Sequence, residues 1–166
     1  MSAQPKPLPA DVPAAVAIVM DGNSRWAAMR GLSVAEGHRA GSHALRPIVE
    51  TSIDLGIESL AVFAFSTENW TRPAEEVQAL MQIFGETIDR ELGDLAKEGV
   101  RTRFVGRRDR APEWLQEKMA ELERATEKES RLKLWIAFDY GGRAEIVEAA
   151  RRLAASGERV DEDSFA

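Results

Sequence analysis

Residues 14–26 read AAVAIVMDGNSRW, and the change of character at residue 21 decides the fold. Residues 14–20 are a short, unbroken apolar run, the pattern of a strand buried on both faces. Asp21-Gly22-Asn23 ends it, and a short helix is expected from near Ser24 to Gly31. A strand that runs through a tight polar turn into a helix is the opening of a βαβ unit.

Outward from this stretch the alternation repeats. Leu45, Ile48, Val49 and Ile53 recur at helical spacing, with Gly56 as a C-terminal stop. Residues 57–65 (IESLAVFAF) read as a second strand, followed by polar residues 66–72 and by Pro73, placed where a first helical residue tolerates proline. Val77, Leu80, Met81, Phe84, Ile88, Leu92 and Leu95 trace one stripe of a long helix. Residues 100–105 are a third strand, and residues 112–129 a helix with Trp114, Leu115, Met119 and Leu122 inward. Residues 132–138 (LKLWIAF) are a fourth strand, and residues 143–155 a closing helix with Ile146, Val147, Ala150 and Leu153 inward. Four strands separated by helices predict an α/β fold with a mainly parallel sheet flanked by helices. Residues 1–13 hold four prolines and no long apolar stretch, so a disordered lead is expected there, ahead of a single domain over residues 14–166.

Composition narrows the function. The 166 residues suit one domain with a real core. The absence of cysteine excludes disulfides, thiolate catalysis and sulfur-ligated zinc, and suits a cytoplasmic protein. A net charge of −6 argues against a nucleic-acid partner. No apolar run approaches the roughly 20 residues that cross a bilayer, so membrane contact is at most peripheral.

In an open α/β sheet, ligands bind beyond the C-terminal ends of the strands. Three such ends carry polar clusters. In the first, Gly22 permits a tight turn, the helix start offers N–H groups to an anion, and Arg25 supplies a guanidinium for phosphate oxygens. Asp21 would repel a phosphate unless a divalent cation lay between them, and magnesium is commonly held by one or two carboxylates, phosphates and water. Asp21 and Asn23 equally suit a plain helix cap. The second cluster is Ser66-Thr67-Glu68-Asn69-Trp70-Thr71-Arg72, which also reads as a polar loop with Thr71 capping the next helix. The third is Asp139-Tyr140-Gly141-Gly142-Arg143. His38, in Gly37-His38-Arg39-Ala40-Gly41 at the opening of the second helix, suits either a phosphate donor or a structural role; His43 reads as structural or solvated.

IVMDGNSRWA, EGHRAG, FAFSTENWTRPAEEV and DYGGR occur in this order, and together they resemble the cis-prenyltransferases, over residues 14–166. The resemblance implies the fold of the undecaprenyl diphosphate synthase-like members. It implies a magnesium-dependent condensation of an allylic prenyl diphosphate, farnesyl or geranyl, with isopentenyl diphosphate, in which the allylic diphosphate leaves and a long (Z)-polyprenyl diphosphate forms. It also implies a homodimer in the cytoplasm, near the membrane that takes the product. Asp21 becomes the magnesium-binding catalytic aspartate. Gly22, Asn23, Ser24 and Arg25 become the loop that holds the allylic diphosphate, with Trp26 and His38 beside it. Ser66, Thr67 and Glu68 continue the substrate site, Trp70 and Arg72 flank it, and Asn69 takes the position assigned to proton acceptance. An amide is a poor base, so Asn69 is expected to orient groups instead. The stripe of residues 77–95 reads most simply as core; under the resemblance it equally suits, with residues 132–138, the wall of an apolar tunnel for the growing chain.

The sequence departs from the family pattern at Ser24, where glycine is common, and at Val34, four residues before His38, where arginine is common. The C-terminal RxSGExRxSNF segment, which furnishes the isopentenyl diphosphate pocket and a second acidic metal ligand, is not in this sequence. The alternative reading is a non-catalytic prenyltransferase-like subunit or diphosphate-binding module.

Overall fold

A computed structural model describes residues 11–157 and 161. The chain runs β1 (Ala15–Val19), α1 (Asn23–Ala28), α2 (Val34–Asp54), β2 (Ser59–Ser66), a 3-10 turn (Thr67–Thr71), α3 (Ala74–Lys97), β3 (Val100–Val105), α4 (Glu113–Ala125), β4 (Leu132–Tyr140) and α5 (Gly142–Ser156). The strands lie in the order β1-β2-β4-β3, and every neighbouring pair is parallel. All four C-terminal ends therefore open on one edge, and the three that carry polar clusters are adjacent there. The α/β reading holds.

One face of the sheet makes the core. Leu60, Val62 and Phe65 of β2, Leu132, Leu134 and Phe138 of β4, and Val100 and Phe104 of β3 are buried. They pack with Val49 of α2, with Leu80, Met81, Ile88 and Leu95 of α3, and with Leu115, Met119 and Leu122 of α4. Each such side chain contributes about 1.5–3 kcal/mol of transfer free energy. Arg46 ties α2 to α3, donating to Glu50 at 2.8 Å, Glu91 at 3.0 Å and Glu98. These acids, Glu50 first, hold its ionisation above the ordinary arginine range.

Several expectations are corrected. β1 is not buried on both faces: half-buried and exposed residues alternate along it, and Val19 is 71% exposed. It is an edge strand, and only the face carrying Val16 and Ile18 meets the core. The closing helix buries none of its residues; Ile146 and Val147 are 58% and 49% exposed, Ala150 is exposed and Leu153 half-buried. An apolar stripe states which side of a helix is greasy, and does not say whether anything lies against it. Trp114 is 39% exposed and lies across Gly85 of α3, where a Cβ would come within 2.5 Å of the indole.

Boundaries shift for local reasons. α2 starts at Val34 because Ser33 and Glu36 form a reciprocal capping box, Ser33 N–H donating to Glu36 Oε2 at 2.7 Å and Glu36 N–H to Ser33 Oγ at 3.3 Å. Pro73 is the residue before α3, not its first turn, and Thr71 donates to the Glu68 carbonyl rather than capping that helix. Of the expected N-terminal lead, residues 1–10 lie outside the described residues, and Val12 already packs on the core.

Candidate active site

At the end of β1, Gly22 adopts φ +89°, a left-handed conformation that glycine accepts without strain. This turn points the Gly22 N–H at Asp21 Oδ1, 2.5 Å away, and lets the Gly22 carbonyl accept the first α1 bond from Trp26 N–H at 2.8 Å. α1 has no side-chain cap, so the helix-cap reading of Asp21 and Asn23 is not the arrangement found. Arg25 Nη2 lies 3.2 Å from Asp21 Oδ2, with both side chains 79% exposed. A pair so exposed adds little stability. Its value is to leave a carboxylate and a guanidinium together at a strand end beside free helix N–H groups.

Two glycines that the sequence reading passed over set this turn on the body of the protein. Gly37 and Gly41 are four apart on one face of α2. A Cβ on Gly37 would strike the Asn23 carbonyl and Ala27, and one on Gly41 would lie 2.6 Å from Asn23 Oδ1. Their bare backbone makes a flat seat for α1, and Ala27 is fully buried in it.

The second cluster begins at Ser66, which pairs with Tyr140 across β2 and β4. Asn69 Oδ1 accepts the Ser66 N–H at 2.9 Å, which closes the 3-10 turn. The backbone at Glu68, then the Ser66 and Thr67 hydroxyls, hold the exposed Glu68 carboxyl below its usual range. Trp70 sits edge-on to Phe65, with ring centroids 5.2 Å apart. The third cluster joins the second, since Gly141 lies where a Cβ would come within 2.5 Å of Thr67 Oγ1. Asp139 itself is buried and ion-paired with Arg110, so it is closed to ligand.

Arg72 Nη1 donates to Glu76 Oε1 at 2.7 Å and lies 3.4 Å from His38 Nε2. Burial, then the Arg72 charge, push the His38 pKa below its ordinary value, against a smaller opposing pull from Glu76. Glu76 was missed in sequence, although its place four residues after Arg72 is the spacing of helical ion pairs.

His38, Arg72, Asn23 and Asn69 stand around one cavity of about 120 Å³, which Ser42 and Thr87 also line and which is otherwise walled by apolar side chains such as Leu45, Phe84 and Ile88. A deeper space shares Ser42, Leu45, Thr87, Ile88 and Ile136 with it and reaches Leu95 and Leu122. A third opens beside Asp21 and shares Met20, Asn23, Leu45 and Val62. The cavity lies between the sheet and α2 and α3. The polar groups gather at one end, at the C-terminal edge of the strands. Of the remaining sequence-predicted residues, Gly22, Ser24, Arg25, Trp26, Ser66, Thr67, Glu68 and Trp70 lie outside its lining. Trp26 is 37% exposed, with the Arg30 guanidinium 4.3 Å above its ring.

Among the described residues, no three acidic, histidine or cysteine side chains converge as a metal cage. Asp21 stands as a single carboxylate, a donor set that fits magnesium shared with a diphosphate and water, and does not fit an all-protein site.

A family description, "Putative undecaprenyl diphosphate synthase", matches residues 19–166. The chain belongs to this prenyltransferase family. It is 48% identical over 150 residues to the ditrans,polycis-undecaprenyl-diphosphate synthase ((2E,6E)-farnesyl-diphosphate specific) of Xanthomonas oryzae pv. oryzae, covering 90% of this chain and 58% of that relative. It is 49% identical over 138 residues to the isoprenyl transferase of Thermotoga maritima, covering 83% of this chain and 59% of that one. The chain thus spans less than two thirds of the length of these curated relatives. Among solved structures, lavandulyl diphosphate synthase from Lavandula x intermedia, in complex with dimethylallyl diphosphate, superposes with a TM-score of 0.88 at 34% identity. That match covers 92% of this chain and 69% of the other. Among the described residues, no helix is long and apolar enough to cross a membrane.

Proposed function

We propose that this prenyltransferase-family chain builds the allylic-diphosphate site of a cis-prenyltransferase that extends farnesyl or geranyl diphosphate with isopentenyl diphosphate. The reading places it in the cytoplasm and as a homodimer. The observation that carries it is the cavity: Asn23, His38, Asn69 and Arg72, two of them basic in type, gather at the strand-end mouth, and behind them the interior is mainly apolar, with only the hydroxyls of Ser42 and Thr87 added. A prenyl diphosphate has the same division, an anionic head and a hydrocarbon tail.

The diphosphate belongs at the end of β1. There Arg25 and the first N–H groups of α1 neutralise the charge that gathers on the leaving group as its bond to the allylic carbon breaks. Bound magnesium would add Lewis-acid neutralisation of the diphosphate oxygens, held to the protein by Asp21. With the diphosphate in place, the Arg25 guanidinium need not spend itself on Asp21. The double bond of isopentenyl diphosphate attacks the allylic carbon, a new carbon–carbon bond forms, and a proton leaves. Asn69 turns its amide oxygen to the Ser66 N–H, which leaves both N–H bonds of its NH2 group for a substrate. Its NH2 group orients an oxygen of a substrate, and the proton goes to diphosphate or water. Each elongation step pushes the tail deeper between α2, α3 and the sheet.

Turnover of labelled isopentenyl diphosphate with farnesyl diphosphate, with and without magnesium, tests the reading. Magnesium-dependent polyprenyl product is expected. Binding of farnesyl diphosphate without turnover would instead make the chain a diphosphate-binding module, and neither would end the proposal.

A further inference from the structure

The buried charge of Asp139 lies outside everything assigned above. Its side chain has no exposed surface, and its backbone stands at φ +48°, the one left-handed non-glycine among the described residues. Arg110, in the loop between β3 and α4, meets it with both arms of the guanidinium, Nε donating to Oδ2 at 2.8 Å and Nη2 to Oδ1. A buried carboxylate is expensive unless paired in this two-pronged manner. The contact is reinforced by the backbone, since Arg107 N–H donates to the Asp139 carbonyl at 3.3 Å. Gly106, at φ +106°, lies so close to the Phe138 carbonyl that no side chain fits. The β3–α4 loop is therefore pinned to the end of β4.

The same guanidinium has a second contact. Its central carbon lies 5.0 Å from the centroid of the Trp70 ring. Trp70 stands edge-on to Phe65, which stacks on Phe138 at 5.4 Å, so the indole lies between a cation paired with Asp139 and the end of the core. Its Nε1 is buried and makes no hydrogen bond, so no polar partner fixes the ring. Packing and the cation–π contact alone set its place. Trp70 is part of the 3-10 turn that bears Asn69; the reciprocal capping box of Ser66 and Asn69 and the Thr71 hydroxyl on the Glu68 carbonyl are bonds within that turn, whereas Arg110 reaches it from outside.

We propose that Arg110 is a positioning residue: anchored on buried Asp139, it holds Trp70 and thereby fixes the substrate turn at residues 66–72. It touches no substrate and acts through the indole. The proposal rests on the prenyl diphosphate reading only for its effect on affinity; the ordering of the turn is a property of the protein by itself.

The test uses a charge-balanced pair, Arg110→Met with Asp139→Asn. This removes anchor and cation together and leaves an asparagine, which accepts the left-handed conformation. Hydrogen exchange of amides 66–72 is followed in the parent, the double variant and Arg110→Lys. Exchange of the β3 amides serves as the internal reference, and binding of farnesyl diphosphate is measured by calorimetry. The double variant is expected to exchange at residues 66–72 at least tenfold faster with β3 unchanged, and to bind farnesyl diphosphate about tenfold more weakly. Arg110→Lys, which keeps the charge without the planar fork, is expected to fall between. Unchanged exchange at residues 66–72 in the double variant overturns the clamp, as does equal acceleration in β3. A parent that fails to bind farnesyl diphosphate removes the prenyl diphosphate reading, and the exchange result then decides the clamp alone.

Discussion

Nη1 of Arg72 lies 3.4 Å from Nε2 of His38, a contact that joins α2 to the segment entering α3. A guanidinium only donates, so as a hydrogen bond this contact calls for a lone pair at Nε2. The lowered His38 pKa agrees, with burial as the larger cause and Arg72 the second. Glu76, 3.7 Å from Nε2, pulls the other way and does not prevail.

A pH dependence of stability follows from this neutral histidine. The unfolded chain takes up a proton on His38 at its ordinary pKa, about 6.5, before the folded chain does. Protonation therefore favours the unfolded state, and stability falls as pH drops below that value. His38→Gln keeps an uncharged polar group there and should flatten this part of the curve. Tm measured from pH 7.5 to 5.5 checks it; parallel slopes for parent and variant would remove His38 as the cause.

Asp21→Ala should abolish most turnover, by two orders of magnitude or more, while Tm moves by no more than a few degrees. The side chain is 79% exposed and makes only local contacts, and such surface changes stay within about 0.5 kcal/mol. Calorimetric melting beside the isopentenyl diphosphate assay separates the two effects. A large melting shift with activity retained would reverse the assignment.

Arg25→Ala should weaken farnesyl diphosphate binding about tenfold, equivalent to roughly 1.4 kcal/mol. Without the Arg25 guanidinium, the diphosphate keeps only the α1 N–H groups and the magnesium that Asp21 would hold. Titration calorimetry in magnesium reads the change, and an unaltered Kd would exclude Arg25 from the diphosphate site.

Gly37→Ala tests the seat of α1. The added methyl would strike the Asn23 backbone carbonyl and lie 2.9 Å from Ala27 Cβ, so the turn itself must shift. Overpacking of this kind costs about 1–3 kcal/mol. Denaturant unfolding should show that loss, accompanied by weaker diphosphate binding. Gly93, where a Cβ meets nothing within 4 Å, is the control, and Gly93→Ala should be neutral or slightly stabilising.

Thr87 lines both the main cavity and the deeper space, its hydroxyl turned onto the Ile83 carbonyl at 2.7 Å. Thr87→Phe would place a ring across the passage between them. Products separated by chromatography should shorten by one or more isoprene units, whereas an unchanged length distribution would show that the chain takes another path.

Much of the fold was legible because periodicity is local. The strands and the longer helices announced themselves by their spacing of apolar residues, and the alternation of the two pointed to a mainly parallel sheet with crossovers. The polar strings after residues 20, 65 and 138 marked three strand ends, and a parallel sheet necessarily brings those ends to one edge. Gly22 was readable in the same way, since the turn it makes is a matter of its own φ.

What the sequence could not contain was which neighbours each face meets. The run at residues 14–20 was greasy enough for a fully covered strand, but the sheet order put it at an edge; Ile146 and Val147 form a stripe that no described element covers. The cavity, the neutral state of His38 and the grip of Arg110 on Asp139 all depend on residues 29 or 34 positions apart or on several elements at once. Burial and charge coupling fall off over a few ångströms in space, and distance along the chain carries almost no information about them.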